Sequence, residues 1–201
     1  KNNIFETDLF SPIMTEIHGK KLVHDSSIIR SERIIADHLK ASIFIISEGM
    51  SPSNTGRGYV LRRLLRRSIR HARLLNLPED FYERSVKTIS NLYKDSYPEL
   101  GENSQKILTI IAGEFEKFMK LLNKEIPKIE KEVEEYKSKG YKFLPGIYVF
   151  NTQSSIGVGV EIVRDIAKEK GMEINMEELK EEEKKHQEKS RAGVEKKFGK
   201  Q

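Results

Sequence analysis

The fold of this chain is decided by residues 50–75, which read MSPSNTGRGYVLRRLLRRSIRHARLL. From about Tyr59 to Leu75, apolar side chains recur every three or four positions, which is the spacing of one face of an α-helix. These side chains are Leu61, Leu64, Leu65, Ile69 and Ala72. The arginines between them fall mainly on the opposite face. The pattern predicts a helix with one side in the core and the other side charged.

The charge of this helix differs from that of the rest of the chain. Residues 50–78 hold 7 arginines and no acidic residue, whereas residues 1–49 hold 6 Lys+Arg and 7 Asp+Glu, and residues 79–201 hold 23 and 24. The net charge of +5 therefore comes from this segment. No acidic residue lies three or four positions away to form helix-surface ion pairs. Because arginine grips phosphate oxygens through a planar fork, the pattern favours phosphate binding over a solvated charged face. The predicted phosphate contacts are Arg57, Arg62, Arg63, Arg66, Arg67, Arg70 and Arg73.

The loop before this helix is dense in Gly, Pro, Ser, Asn and Thr, which permit tight turns and hydrogen bonds from side chain to backbone. Gly56-Arg57-Gly58 is too short to be a phosphate loop by itself, but the start of the helix could place N–H groups against an RNA phosphate. From the residues alone, Asn54 is as readily a turn or capping residue as a contact to a base. His71 is predicted to add to the anion-binding face.

Further helices are predicted on both sides of this segment. Ser31 is the expected N-cap of a core helix that runs to about Ser47, and another helix should begin near Phe81. The structural neighbours of the arginine helix are therefore predicted to be helical.

A long apolar seam runs from Ser104 to about Lys139 at a spacing of three or four residues. It predicts a long helix or a helical hairpin, kinked or split at Pro127. Most such seams are part of the core of their own chain. The alternative is a helical module for protein interaction or assembly, in which the seam binds a partner.

The C-terminal third holds the only strand-like run, Ile147 to Phe150, after Leu144-Pro145-Gly146. A brief helix should begin near Val160, and Asn175 with Glu178 forms a capping-box pattern for the last helix. The fold class predicted from these patterns is mainly α: a helical bundle with one long helical hairpin or kinked helix, and a short β element near residues 146–152. We divide the chain near Lys139, into a helical subdomain of residues 1–139 and a smaller α/β-containing subdomain of residues 140–201.

Composition excludes several classes of protein. The 201 residues include no cysteine, so disulfide frameworks and thiol nucleophiles are excluded and a reducing compartment is favoured. The mean hydropathy is -0.58, and no apolar run reaches the roughly 20 residues of a membrane span, which predicts a cytoplasmic protein with no membrane partner.

The 5 histidines are scattered and predict no metal site. No catalytic combination of acid, base and nucleophile is visible. Because the first residue is Lys1, we expect a piece of a longer polypeptide.

Several stretches, in the same order, closely resemble the alanyl-tRNA synthetase family. The longest is residues 51–67, SPSNTGRGYVLRRLLRR, and it follows RIIADHLK at residues 33–40. Shorter matches are Asp8-Leu9-Phe10, Tyr97-Pro98-Glu99-Leu100 and Leu144-Pro145-Gly146. Together they cover nearly the whole chain, and an ordered set of this length is far more specific than a short glycine motif.

The resemblance implies a tRNA-recognition region that lies between the class II catalytic core and the editing domain. It implies that the contacts to ATP, magnesium and alanine lie upstream, and that the zinc site of the editing domain lies downstream. This chain should then hold no cofactor and should not aminoacylate alone. Its implied partners are the acceptor stem of alanine tRNA, near the G·U wobble pair, and the remainder of the synthetase.

Two residues are implied as contacts to bases. Asn54 occupies the Pro-Ser-Asn position of the family, and its amide can both donate and accept in the shallow minor groove of RNA. The family's second contact is an aspartate in a stretch that aligns here with residues 152–159. Ser154 stands at that position, or Gln153 or Ser155 after a shift of one residue. Since none of these carries a carboxylate, the alternative is a degenerate paralogue that binds RNA without wobble-pair specificity.

Overall fold

A computed structural model describes residues 3–18 and 25–198, with side chains as far as residue 188. The chain divides into two units, Lys1–Leu122 and Asn123–Gln201. This division falls inside a helix, whereas the functional division near Lys139 stays a prediction. Within residues 3–18 and 25–198, every helix is too short or too polar to span a membrane.

The described part of the first unit is helical. A short 3-10 turn is followed by α1 (Ser11–His18), α2 (Ser26–Ser47), α3 (Gly56–Leu74), α4 (Phe81–Tyr93) and α5 (Glu99–Glu102). Helix α2 packs along α3, and α1 packs against α2 and α4. The predicted apolar stripe of α3 is confirmed, because four of its five members are buried and Leu64 is half-buried. The core between α2 and α3 includes Ile35, Leu39, Ile43, Leu61 and Leu65.

Helix α2 begins earlier than the sequence predicts. The carboxylate of Asp25 accepts a hydrogen bond from the backbone N–H of Ser27 at 2.7 Å, which satisfies one of the N–H groups that the first turn leaves without a partner. The prediction that Ser31 is the N-cap is wrong. Ser31 lies inside the helix, where its hydroxyl donates to the carbonyl oxygen of Ser27 at 3.0 Å.

Helix α6 runs from Ser104 to Ser138 with Pro127 inside it. The prediction of a long helix is confirmed, and Pro127 does not split it. Pro127 is exposed, so its ring points away from the packed face. The seam is filled by the chain itself, since each of these members is at most 1% exposed: Ile107, Ile111, Phe118, Leu122, Ile129 and Val133.

The second unit surrounds one short parallel β pair. After the end of α6 come β1 (Phe143–Leu144), α7 (Gly146–Asn151), α8 (Val160–Glu169), β2 (Glu173–Ile174) and α9 (Met176–Phe198). Phe143 pairs with Glu173 and Leu144 with Ile174, and α7 packs on α9. The mainly α fold class is confirmed.

The β element lies just before its predicted position near residues 146–152. A run of four apolar residues suits a strand or a buried helix equally, and here residues 146–151 form α7. The backbone N–H of Gly146 donates to the carboxylate of Glu178 at 2.7 Å. A carboxylate at this position stabilises the start of a helix, which explains why the run after Pro145 is helical.

The capping box predicted for α9 is confirmed in one half. The backbone N–H of Glu178 donates to Oδ1 of Asn175 at 3.2 Å. The carboxylate of Glu178 bonds Gly146 instead of returning to the backbone of Asn175, whose N–H donates to the carbonyl oxygen of Leu144 at 3.0 Å. The start of α9 is therefore tied to the start of α7.

Candidate nucleic-acid interface

The loop before α3 is folded tightly onto the first turn of that helix. The backbone N–H of Ser53 donates to the carbonyl oxygen of Gly58 at 3.0 Å, and its hydroxyl donates to the carbonyl oxygen of Thr55 at 2.7 Å. A Cβ atom at Gly58 would lie 2.5 Å from the backbone oxygen of Ser51, so this close approach requires glycine. The loop is held in one shape by these contacts.

The exposed side chain of Asn54 is held by Arg62 of α3. Nη1 of Arg62 donates to Oδ1 of Asn54, and its Nη2 donates to the carbonyl oxygen of Pro52 at 3.4 Å. Because a guanidinium group only donates, the amide atom that faces it must be the oxygen. The amide NH₂ group of Asn54 is therefore directed away from Arg62 and offers two donors.

A carboxylate of α6 holds two arginines of α3. Nε of Arg66 donates to Oε1 of Glu114 at 2.6 Å, and Nε of Arg62 lies 3.5 Å from the same oxygen. Glu114 is only 4% exposed. The guanidinium of Arg66 also lies over the ring of Phe118, 5.0 Å from its centroid. One buried acid thus connects the core to the arginine that orients Asn54.

The seven arginines do not share one outward face. Three predicted phosphate contacts are exposed: Arg57, Arg63 and Arg73. The other four are partly or fully withdrawn from solvent: Arg62, Arg66, Arg67 and Arg70, the last being 4% exposed. The sequence has no acidic residue three or four positions from these arginines, and the carboxylate that pairs with Arg66 comes instead from Glu114, 48 residues away along the chain. Phosphate binding by the arginines stays a prediction.

His71 does not belong to the anion-binding face, and that prediction is wrong. It is 1% exposed, and its Nδ1 lies 3.1 Å from the hydroxyl oxygen of Ser31, which joins α3 to α2. Helical periodicity placed His71 beside the arginines, but the neighbouring helix α2 covers this part of α3.

The second predicted base contact, Ser154, lies in the other unit. It occupies a π-helical turn, Thr152–Ile156, which follows α7 and ends at Gly157, where φ is 81°. Its side chain is exposed, and the hydroxyl donates weakly to the carbonyl oxygen of Asn151 at 3.4 Å. Turns of this kind are frequent at functional sites. Asn54 and Ser154 are each exposed, in separate units.

Glu114 is the important residue that the sequence reasoning missed. It stands three residues after Ile111 and four before Phe118, at the spacing of the apolar α6 seam. A carboxylate on an apolar stripe is rarely buried without a partner. That position is the signal that could have predicted a cation from another helix.

Zinc in proteins is held by Cys, His, Asp and Glu side chains. The sequence has no cysteine, and the described residues contain no group of three or more His, Asp or Glu side chains that could hold a metal ion.

Comparison with known proteins identifies the family. The family model for class II (A) tRNA synthetases matches residues 1–201. The chain belongs to this family. Among curated proteins, the chain is 37% identical over 192 residues to an alanine-tRNA ligase of Endomicrobium trichonymphae, a match that covers 95% of the chain and 22% of that protein.

Two further relatives are also alanine-tRNA ligases. An alanine-tRNA ligase of Acetivibrio thermocellus is 35% identical over 201 residues, covering 98% of the chain and 23% of that protein. An alanine-tRNA ligase of Bacillus subtilis is 34% identical over 194 residues, covering 93% of the chain and 22% of that protein. The chain thus spans only 22% to 23% of the length of these relatives. The resemblance to alanyl-tRNA synthetase is confirmed, and the position within that protein stays a prediction.

Proposed function

We propose that this chain is the tRNA-recognition region of an alanine-tRNA ligase, placed between the catalytic core and the editing domain. Its function is to bind the acceptor stem of alanine tRNA near the G·U pair, so that the rest of the ligase can attach alanine in an ATP-dependent reaction. Support comes from relatives that are alanine-tRNA ligases and match nearly the whole chain. The chain is not expected to aminoacylate by itself.

The observation that carries the proposal is the hydrogen bond from Arg62 to Asn54. It fixes the amide so that the NH₂ group is the part of Asn54 available to a ligand. In an RNA helix the minor groove is wide and shallow and displays base edges and 2′-hydroxyl groups. An oriented NH₂ group can donate there to a base acceptor or to a ribose oxygen.

The phosphate contacts are assigned first to the exposed arginines, Arg57, Arg63 and Arg73. Arg62 and Arg66 take a different part, because their bonds to Glu114 hold the loop and the helix in position. In this division of roles, one set of guanidinium groups binds the RNA backbone and the other set supports the residue that contacts the bases.

Ser154 is the proposed second contact in the acceptor stem. A hydroxyl can accept a hydrogen bond from the guanine amino group but brings no negative charge, and charged acceptors form the stronger bonds. We therefore expect weaker discrimination between G·U and G·C pairs than a carboxylate at this position would provide.

The alternative of an assembly module is not favoured by the structure. It depends on an apolar α6 seam that is open to a partner, and the seam residues named above are buried within the chain.

The role of Asn54 predicts a loss of affinity when its NH₂ group is removed. Asn54→Asp keeps an oxygen for Arg62 but has no donor, and Asn54→Ala has neither. Each substitution should weaken binding to a hairpin with the G·U acceptor stem by about 1–3 kcal/mol, the usual range for a specific base contact. Fluorescence anisotropy with a labelled hairpin measures this loss.

The matched control is Asn91→Ala, which removes another exposed amide from the first unit and should leave the affinity unchanged. The substitutions at Asn54 should weaken binding to a hairpin with G·C in place of G·U less than they weaken binding to the G·U hairpin. Equal losses on both hairpins would show that Asn54 shapes the loop and does not contact the pair.

If the arginines bind RNA phosphates, the affinity for RNA should fall steeply as the salt concentration rises. If about four phosphates are engaged, the logarithm of the association constant should fall with the logarithm of the salt concentration with a slope of about −3 to −4. Arg73→Met should make this slope shallower by about one, equally for both stems. A flat salt dependence would contradict phosphate binding by the arginines.

A further inference from the structure

A groove of about 550 Å³ lies in the first unit and is formed by α2, α3 and Phe5 of the short 3-10 turn. Its polar lining consists of Ser26, Arg30, Arg33, Asp37, His38 and Arg67. Two of these arginines, on α2, were not among the predicted phosphate contacts. The groove therefore adds cationic side chains from a second helix to those of α3.

The lining of the groove is rich in arginine. It contains three arginines and one carboxylate, Asp37, which is bonded to the ring of His38 at 3.0 Å. The choice of arginine is specific, because the chain has 24 lysines and only 5 arginines outside residues 57–73. Two of those five line this groove. Planar forks of this kind match the oxygen atoms of a phosphate group.

Arg33 is held in place without using a carboxylate. Its guanidinium carbon lies 5.3 Å from the centroid of the Phe5 ring, and it forms no ion pair with any residue that the structure describes. Stacking on an aromatic face orients the group and leaves its charge unneutralised. Arg33 thus differs from Arg66, whose charge is matched by Glu114.

The pKa of His38 depends on its burial and on the charged side chains around it. Burial lowers its pKa from the usual 6.5, the hydrogen bond and charge of Asp37 raise it, and the electrostatic effect of Arg67 lowers it further. An anion in the groove would favour the protonated imidazole and would therefore raise the pKa of His38.

We propose that the groove between α2 and α3 is a second binding site of this chain, for a phosphate group held by Arg30, Arg33 and Arg67. The phosphate group belongs either to the backbone of a bound RNA or to a free oligophosphate. The first source rests on the proposed function, and the second does not.

The RNA source is tested with Arg30→Gln, which removes an exposed charge. Anisotropy with the acceptor-stem hairpin should show a loss of about tenfold, the size expected for one charged hydrogen bond. The loss should be equal on G·U and G·C stems, because phosphate contacts carry no base information. Lys106→Gln removes an exposed charge outside the groove and should change the affinity less than twofold.

The free oligophosphate is tested with inorganic pyrophosphate. NMR titration of the His38 ring, assigned by its absence in His38→Gln, should show a higher pKa when pyrophosphate is added. The increase should disappear in Arg30→Gln. Arg33→Gln should act like Arg30→Gln, and Arg33→Lys should restore only part of the binding, because lysine keeps the charge and lacks the fork. Thermal unfolding verifies that each variant is folded.

The two arms give distinct results. A loss of hairpin affinity in Arg30→Gln supports an RNA phosphate, and a pyrophosphate effect on His38 supports a free oligophosphate. If neither RNA affinity nor the His38 titration responds to Arg30→Gln, the phosphate site is wrong. The proposed role of Asn54 is tested separately. If that role is wrong, the Asn54 substitutions should weaken binding to the G·U and G·C stems equally, and Arg30→Gln should still reduce the affinity for both.

Discussion

Replacing Gly146 by alanine is expected to lower the free energy of unfolding of the second unit by about 3 kcal/mol, the upper part of the range for overpacked sites. A Cβ atom at this position would lie 2.2 Å from the backbone nitrogen of Leu179 and 2.8 Å from the carbonyl oxygen of Asn175. Backbone atoms cannot rotate away as a side chain can, so α7 would have to move off α9. The bond from Gly146 to Glu178 would be lost with that movement.

Urea denaturation followed by circular dichroism measures this loss, and hydrogen exchange of the amides in residues 143–174 assigns it to the second unit. Gly113→Ala is the matched control. A Cβ atom at Gly113 meets nothing within 4 Å, and alanine inside a helix is more stable than glycine by about 0.5–1 kcal/mol. The same substitution should therefore stabilise at one site and destabilise at the other. If Gly146→Ala has the same free energy of unfolding as the wild-type chain, that result would contradict the packing of α7 on α9.

Replacing Arg66 by methionine is expected to lower the free energy of unfolding of the first unit by about 2–3 kcal/mol, the range for a charged group left without its hydrogen bond. Glu114 is buried, and its contact with Arg62, whose Nε is 3.5 Å away, is the longer of the two ion pairs described above. Methionine fills most of the space of the arginine stem, so the loss arises from the unmatched carboxylate. Denaturation in urea, with exchange of the α3 amides, measures the change.

The double variant Arg66→Met with Glu114→Leu tests the cause. Replacing both partners of a buried pair by apolar residues is often nearly neutral, so much of the lost stability should return. Arg73→Met is the surface control, and it should change stability by no more than about 0.5 kcal/mol. Arg73→Met should reduce RNA affinity while Arg66→Met reduces stability. Similar stability losses for Arg66→Met and Arg73→Met would show that Glu114 does not anchor α3.

Local patterns predicted the helices well and their ends less well. The stripe in α3 and the seam in α6 repeat over many turns, so each marks a helix whatever its neighbours are. The start of α2 was misplaced, because Asp25 and Ser31 are both residues that suit an N-cap. Residues 147–150 were predicted as strand, because four apolar residues have no period long enough to separate strand from helix. The carboxylate of Glu178, 32 residues from Gly146, stabilises the helix there.

For the candidate site, the sequence led to Asn54, to the exposed arginines and to Ser154, but it did not predict how they are held. The contact between Asn54 and Arg62 depends on a loop that folds back onto α3. No local pattern marks Arg30 and Arg33, because they lie on another helix and line the groove only when α2 packs beside α3.

The sequence by itself determined that the protein is mainly helical, that its positive charge is concentrated in one segment, and that it belongs with the tRNA synthetases. Those properties reside in composition, period and ordered motifs, which are local. Only the tertiary structure decided which arginines face solvent and which are matched by Glu114. The physical reason is that the partner of a charged side chain is set by the packing of distant segments, and periodicity along one helix contains no information about the acid that a second helix will bring to it.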